Sequence, residues 1–149
     1  MKTTLRITSI TAIAIVALGL NPAIATAQTS VQGHGRVAND PPNADSQVSV
    51  NAWLDINGVA HGTVVWVGGI TPRMPGGPAD PWLIEVTEVT FEGNTAHVFG
   101  VVVHSVFPEE IGIGVPLDFT DNTGTGQPDE MGVFGGDSFP IIAGNIIVR

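Results

Sequence analysis

An acidic loop near the end of the chain carries the residues best suited to bind a cation. Asp121, Asn122 and Asp129 bracket a glycine-containing stretch, and residues 121–130 read DNTGTGQPDE. Calcium prefers about six to eight oxygens from carboxylates, amides and carbonyls. The three side chains are therefore candidate calcium ligands. The alternative is a turn without metal, because Asp and Asn also accept hydrogen bonds from nearby backbone N–H groups.

The four histidines do not have the spacing of a zinc site. The chain has no cysteine and no His-Glu-x-x-His motif, and a zinc site needs three or four converging ligands. His97 and His104 are seven residues apart on one predicted strand, so we expect them to point to opposite faces unless a bulge intervenes. His61 and His97 would meet only if their strands are neighbours. For these residues and for His34 we expect solvated or capped imidazoles.

No catalytic residue is predicted. None of the serines stands in a Gly-x-Ser-x-Gly setting, where a nucleophile would be exposed on a constrained turn. The most conspicuous carboxylate pair is Glu109-Glu110, directly after Pro108. Neighbouring side chains on an extended segment point apart, and the proline indicates a loop. We interpret this pair as a solvated turn.

The three tryptophans, Trp53, Trp66 and Trp82, are candidate ligand platforms. An exposed indole combines a large apolar face with a polar N–H, which suits contact with a sugar ring. The alternative is that they fill the core or cap the ends of a barrel, as large aromatic side chains usually do. Trp53 lies on the polar face of its predicted strand, which favours it as a ligand-contacting residue.

The elements that position these residues are predicted to be strands. Apolar and polar residues alternate in residues 47–55 and 115–121, which is the pattern of strands with one buried face. Leu117 and Phe119 are expected in the core. Asn57-Gly58 predicts a tight turn between two of the strands, because both residues tolerate positive φ. Alternation slips near Glu88, which predicts a β-bulge.

About eight such runs follow one another, and no helical period appears after the N-terminal segment. They cover residues 31–38, 47–55, 60–67, 82–92, 95–107, 115–121, 131–134 and 145–148. Short links favour antiparallel neighbours. We predict an all-β fold in which a meander closes, or nearly closes, into a barrel. A two-sheet β-sandwich is the alternative.

Three turn motifs in a fixed order carry a family resemblance. Residues 93–96 read GNTA, residues 121–124 read DNTG with a later Pro-Asp, and residues 144–148 read GNIIV. This order resembles a family of small secreted bacterial all-β domains without an established function, found alone or in cell-surface proteins. Its pattern ends in Gly-Asn-Ile-x-Val-His, whereas this chain ends in Arg149, and Thr123 replaces the usual Gly. The resemblance implies a fold and a location outside the cytoplasm, and it brings no active site.

The N-terminal segment is predicted to be a signal peptide. Lys2 and Arg6 precede a short apolar run, and Ala25-Thr26-Ala27 supplies the small residues of a cleavage site. The run is about half of the roughly 20 residues that a membrane-spanning helix requires. We therefore expect a signal peptide over residues 1–27, with cleavage after Ala27. A single all-β domain over residues 28–149 then remains, and the protein is expected to be secreted.

The charge of the predicted mature chain argues against some partners. It keeps three arginines against 14 acidic residues, which gives a net charge of −11. That charge repels phosphate backbones and anionic lipid, so we expect neither nucleic-acid nor membrane binding after cleavage. With no cysteine, the domain must fold without disulfides. We expect a monomer or a weak oligomer.

Three functions remain open from the sequence. The first is a non-enzymatic interaction or structural module at the cell surface or outside it, with a protein, a glycan or a small ligand as partner. The second is a barrel that carries a small ligand in its lumen. The third is a small hydrolase or isomerase with an acid and a histidine in the barrel mouth. Apart from calcium, no cofactor is expected.

Overall fold

The computed structural model of the protein describes residues 29–38, 46–68, 81–133, 135–136 and 138–149. Eight antiparallel strands form a closed barrel in which each strand pairs with the next and the first pairs with the last. They are β1 (Ser30–Val37), β2 (Ser46–Leu54), β3 (Ala60–Val67), β4 (Pro81–Glu92), β5 (Thr95–His104), β6 (Gly114–Thr120), β7 (Glu130–Val133) and β8 (Ser138–Val148).

This architecture confirms the predicted all-β meander and decides for the closed barrel over the sandwich. A short 3₁₀ helix, Pro108–Glu110, follows β5. The predicted signal peptide, residues 39–45 and 69–80, and Phe134 at the end of the seventh predicted strand lie outside the described residues. Within the described part of the chain, no helix is long and apolar enough to cross a membrane.

The interior of the barrel is packed with apolar side chains. An eight-stranded barrel is just wide enough for side chains to fill its interior. Leu117 and Phe119 are fully buried, which confirms their predicted place in the core. Every inward position of β2 from Val48 to Ala52 is buried, and the residues between them are exposed. The largest fully buried side chains are Phe119, Ile84, Leu117, Met131 and Ile146.

The predicted bulge in β4 is also confirmed. The pairing register of these strands shifts between Val86 and Glu88, so the bulge lies where the alternation slips. Gly100 faces inward on β5, where an added Cβ would lie 2.6 Å from the carbonyl oxygen of Glu85 and from the Ile84 side chain. The bulged neighbour therefore approaches β5 closely, and only glycine fits at this position.

The structure corrects the predicted extent of two strands. β5 ends at His104 and not at residue 107, because the chain turns there into the 3₁₀ helix. β8 is 11 residues long, whereas the sequence predicted only 145–148. Its first residues pair with β7 and its remainder pairs with β1. Residues 142–145 are all exposed, so they lack the alternation that identifies a strand from sequence.

Candidate functional site

The structure brings together the three candidate calcium ligands, but their side chains contact the protein backbone. Asp129 is only 8% exposed. Its Oδ1 accepts a hydrogen bond from the Asn122 amide at 2.8 Å, and its Oδ2 accepts one from the Ile146 amide at 2.7 Å. The Asn122 side chain donates to the carbonyl oxygen of Pro128 at 2.7 Å. These bonds close the loop on itself and attach it to β8.

Asp121 makes an equivalent attachment one step further along β8. Its Oδ1 accepts from the Thr123 amide at 2.9 Å, and its Oδ2 accepts from the Val148 amide at 3.2 Å. Partial burial would by itself raise the pKa of Asp121, but hydrogen bonds from Thr123 and Val148 outweigh it and the pKa is lowered. The carboxylates of Asp121 and Asp129 thus accept hydrogen bonds from two backbone amides of β8. These amides lie beyond the part of β8 that pairs with the four-residue strand β7.

This arrangement gives the acidic loop a structural role in closing the barrel. All four carboxylate oxygens of Asp121 and Asp129 accept backbone N–H groups, as expected for the alternative of a hydrogen-bonded turn. Among the described residues, no group of three His, Asp or Glu side chains is placed to hold a metal ion. Calcium binding by Asp121, Asn122 and Asp129 stays a prediction.

The Glu109-Glu110 pair differs from its predicted solvated state. Glu109 is exposed, but Glu110 is 8% exposed and accepts hydrogen bonds through Oε2. The donors are the Trp82 Nε1–H, at 2.5 Å, and the Ser105 hydroxyl. The interpretation of the pair as a solvated turn was therefore wrong for Glu110, because the 3₁₀ helix turns this side chain toward buried donors that a sequence does not place beside it.

The three tryptophans divide between the core and the surface. Trp66 and Trp82 are buried and meet edge to face, with ring centroids 5.9 Å apart. They therefore fill the barrel interior, in agreement with the alternative that tryptophans pack in the core. Trp53 points outward from β2 and is 39% exposed, so it is the tryptophan available to a ligand.

Two further side chains hold the ring of Trp53 in place. His61 lies directly across from Trp53 on β3, and the two rings stack with centroids 5.8 Å apart and planes at 27°. His61 Nε2 is 3.2 Å from Asp55 Oδ2. The other oxygen of Asp55 accepts from the amides of Asn57 and Val59, at 2.8 and 2.9 Å. A continuous series of contacts thus runs from the β2–β3 turn to the exposed indole.

Hydrogen bonding also governs the ionisation of Asp55. The Val59 amide and then His61 lower the pKa of this carboxyl, against a smaller opposing effect of desolvation. Asp55 is therefore charged at neutral pH and can orient the imidazole that packs on Trp53. This preorganises the indole, since its position is set before a ligand arrives.

Trp53 and His61 line an open groove of about 480 Å³ on the outer face of the barrel, which we call the Trp53 groove. Leu83 and Val103 give it an apolar part, and Val103 is itself exposed. Amide, hydroxyl and carboxylate groups complete the lining and come from Asn51, Thr63 and Glu85. A mainly apolar surface with a few polar groups is the usual composition of a small-ligand site.

A second open groove, of about 410 Å³, continues along the same two strands. It is lined by Gln47 and Ser49 of β2 and by Val65 and Val67 of β3, and we call it the Gln47 groove. β1 adds His34 and Arg36 at its far side. Because both grooves use outward residues of β2 and β3, they follow one another along the barrel wall.

His97 and His104 line neither of these two grooves. His97, on β5, lies 2.6 Å from Asp118 and 3.8 Å from Glu92. β4 lies between β3 and β5, so the condition under which His61 and His97 would meet, neighbouring strands, is not fulfilled. Their separation follows from the meander, in which β4 stands between the two strands.

Sequence reasoning selected Trp53 but missed Asp55 and His61 as its supports. The available signal was the Asn57-Gly58 turn. A two-residue turn there would pair Ile56 with Val59 and place Trp53 opposite Gly62. The observed turn is one residue longer, with Asp55 hydrogen-bonded to Val59, and it places Trp53 opposite His61. A shift of one residue decides which side chain faces the indole.

Comparisons with known proteins identify no relative of this chain. No family model matches the chain, and no curated protein or solved structure matches it significantly. The resemblance to the family of small secreted bacterial domains therefore stays a prediction.

Proposed function

We propose that the protein is a non-enzymatic binding module that acts outside the cytoplasm and holds its ligand in the Trp53 groove. The observation that carries this proposal is the exposed indole of Trp53, fixed by His61 and Asp55 beside polar groups able to orient a ligand. Exposed, preorganised aromatic side chains contribute more to binding than most other residues.

The packed interior supports a module that binds on its outer face over a carrier with a ligand in its lumen. Phe119, Ile84 and Met131 occupy the space that a carrier would leave for its ligand. The grooves described above lie on the outer wall. Ligand contact on this wall needs no opening of the barrel.

The alternative of a small hydrolase or isomerase has less support. Glu110 is a buried acid, but both of its described donors engage the same oxygen and it does not line the Trp53 groove. His97 contacts two carboxylates, Asp118 and Glu92, but it lines a smaller groove of about 130 Å³ that does not include Trp53.

The location outside the cytoplasm rests on the predicted signal peptide. The exported protein is expected to begin at Gln28, and measurement of its intact mass tests this. A mass that still includes residues 1–27 would contradict cleavage and favour a retained N-terminal anchor.

Binding is tested by cosedimentation of the exported protein with isolated bacterial cell envelopes. Trp53→Ala is expected to lose binding, whereas the matched control Phe99→Ala keeps it. Phe99 is 38% exposed on the outer face of β5, nearly as exposed as Trp53, but it lines a different groove. The control thus separates a specific site from general adhesion of exposed aromatic residues.

Circular dichroism of both variants confirms that the barrel is retained. An exported protein that does not bind envelopes, or a Trp53→Ala variant that binds as well as the wild type, would refute the Trp53 groove as the binding site.

A further inference from the structure

The outward side chains of β2 and β3 form a continuous strip without any acidic or basic residue other than His61. We call it the neutral strip. Its cross-strand pairs are Gln47 with Val67, Ser49 with Val65, Asn51 with Thr63, and Trp53 with His61. Neither strand contains Asp, Glu, Lys or Arg.

The absence of charge stands out because the predicted mature chain has a net charge of −11. The neighbouring β4 carries Glu85, Glu88 and Glu92. Solubility favours charged groups on an outer wall, yet these two strands expose amides, hydroxyls and apolar groups. A surface of this kind suits an uncharged ligand, because a charged one would lose water over two strands that carry no partner of opposite sign. Charged side chains flank the strip at its two sides, Arg36 on β1 and Glu85 on β4.

The two rows of the neutral strip differ in chemistry along its length. β2 contributes two amides and one hydroxyl, from Gln47, Asn51 and Ser49, before the row ends at Trp53. β3 contributes the apolar surfaces of Val65 and Val67 beside them. A pyranose ring also has two kinds of surface, since its faces present C–H groups and its edges present hydroxyls. C–H faces pack on an indole or on valines, and hydroxyls exchange hydrogen bonds with amides and hydroxyls.

The length of the strip indicates a polymer. Trp53 is six steps along the strand from Gln47, and strands rise about 3.3 Å per residue, so the strip is about 20 Å long. This exceeds one sugar ring and accommodates several in a row. Both grooves are open, so a chain can lie along them and leave at either end.

We infer that the neutral strip binds a linear, uncharged polysaccharide, with one sugar ring stacked on Trp53 and the following units along Asn51, Ser49 and Gln47. This inference rests on the proposed function and names the class of its ligand. Binding by several adjacent weak contacts predicts that affinity rises with chain length until the strip is filled.

The test is calorimetric titration of the exported protein with oligosaccharides of increasing length. The probes are the monosaccharide to hexasaccharide series of linear neutral glucans, xylans, mannans and N-acetylglucosamine polymers. At least one series is expected to gain about tenfold or more in affinity from the disaccharide to the hexasaccharide. Binding is expected to change little between low and high salt, because no ion pair forms.

Variants locate the ligand on the strip. Trp53→Ala is expected to weaken every binding oligosaccharide by about tenfold or more. The double variant Gln47→Ala with Ser49→Ala is expected to weaken the hexasaccharide while leaving the disaccharide unchanged. Phe99→Ala is expected to bind both as the wild type does.

Three results would overturn the inference. They are no binding of any neutral hexasaccharide, affinity that does not depend on chain length, and binding confined to charged polymers such as polygalacturonate or chitosan. If envelope binding still depends on Trp53 in such a case, only the class of ligand is wrong. If the exported protein also fails to bind envelopes, the proposed function is refuted as well.

Discussion

In both the β2–β3 turn and the β6–β7 loop, an aspartate accepts hydrogen bonds from nearby backbone amides, but the result differs. In the turn, Asp55 accepts two backbone amides with one oxygen and contacts His61 with the other. In the loop, Asp129 uses one oxygen inside the loop and the other on the Ile146 amide of β8. Asp55 thus supports a surface side chain, whereas Asp129 joins two distant parts of the chain.

This difference teaches that aspartates in a turn can serve either the backbone of the barrel or a surface side chain. The acidic loop has more oxygen ligands in its sequence, but those oxygens are engaged in closing the barrel. The β2–β3 turn has one aspartate, and that residue positions Trp53. Four measurements test this comparison.

The largest expected effect comes from the packed interior behind the acidic loop. Phe119→Ala is expected to lower the free energy of unfolding by about 3–5 kcal/mol, because it leaves a cavity in a filled core. Trp53→Ala, which removes an exposed side chain, is expected to cost under about 1 kcal/mol. Urea denaturation of both variants measures the difference. A loss under about 1 kcal/mol for Phe119→Ala would mean that the interior is not packed as described.

Removal of Asp129 is expected to have the next largest effect. Asp129→Ala leaves the amides of Asn122 and Ile146 without their acceptor, and an unsatisfied buried group costs about 1–3 kcal/mol. Asp121→Ala is expected to cost less, because Thr123 is exposed and Val148 is only half-buried, so water can replace the lost acceptor more readily. Urea denaturation again provides the comparison. Equal losses for the two variants would contradict the greater structural role of Asp129.

Lowering the pH is expected to weaken the contact between Asp55 and His61, the residue that stacks on Trp53. The folded pKa of Asp55 lies below its usual value of 3.8, so its contribution is complete above that pH and is lost as the pH falls through the lowered pKa. The fluorescence of Trp53, taken as the difference between the wild type and Trp53→Phe, should therefore change with a midpoint below 3.8. Asp55→Asn should remove this transition, and its persistence in that variant would assign it to another group.

The smallest expected effect concerns calcium. Because the carboxylates of Asp121 and Asp129 already accept backbone amides, we expect the same Tm in chelator and at about 1 mM calcium, near the affinity of weak extracellular sites. A Tm that rises with calcium, and no longer rises in Asp121→Ala and Asp129→Ala, would show instead that the loop binds the ion.

The sequence by itself determined the fold class and the faces of the strands. Alternation in β2 and β6 identified the inward residues, including Leu117 and Phe119, and the slip near Glu88 located the bulge. These features could be predicted because side-chain direction in a strand has a period of two residues, which is a local property. The polar setting of Trp53 within its strand likewise indicated an outward indole.

Only the tertiary structure decided what each of these residues contacts. Burial of Glu110 beside Trp82 depends on the return of the 3₁₀ helix to β4, and attachment of Asp129 to Ile146 depends on closure of the barrel. The pairing of Trp53 with His61 depends on one extra residue in a turn. Such contacts follow from register and from the paths of the loops, which depend on the balance of many distant pairings and have no periodic signal in the sequence.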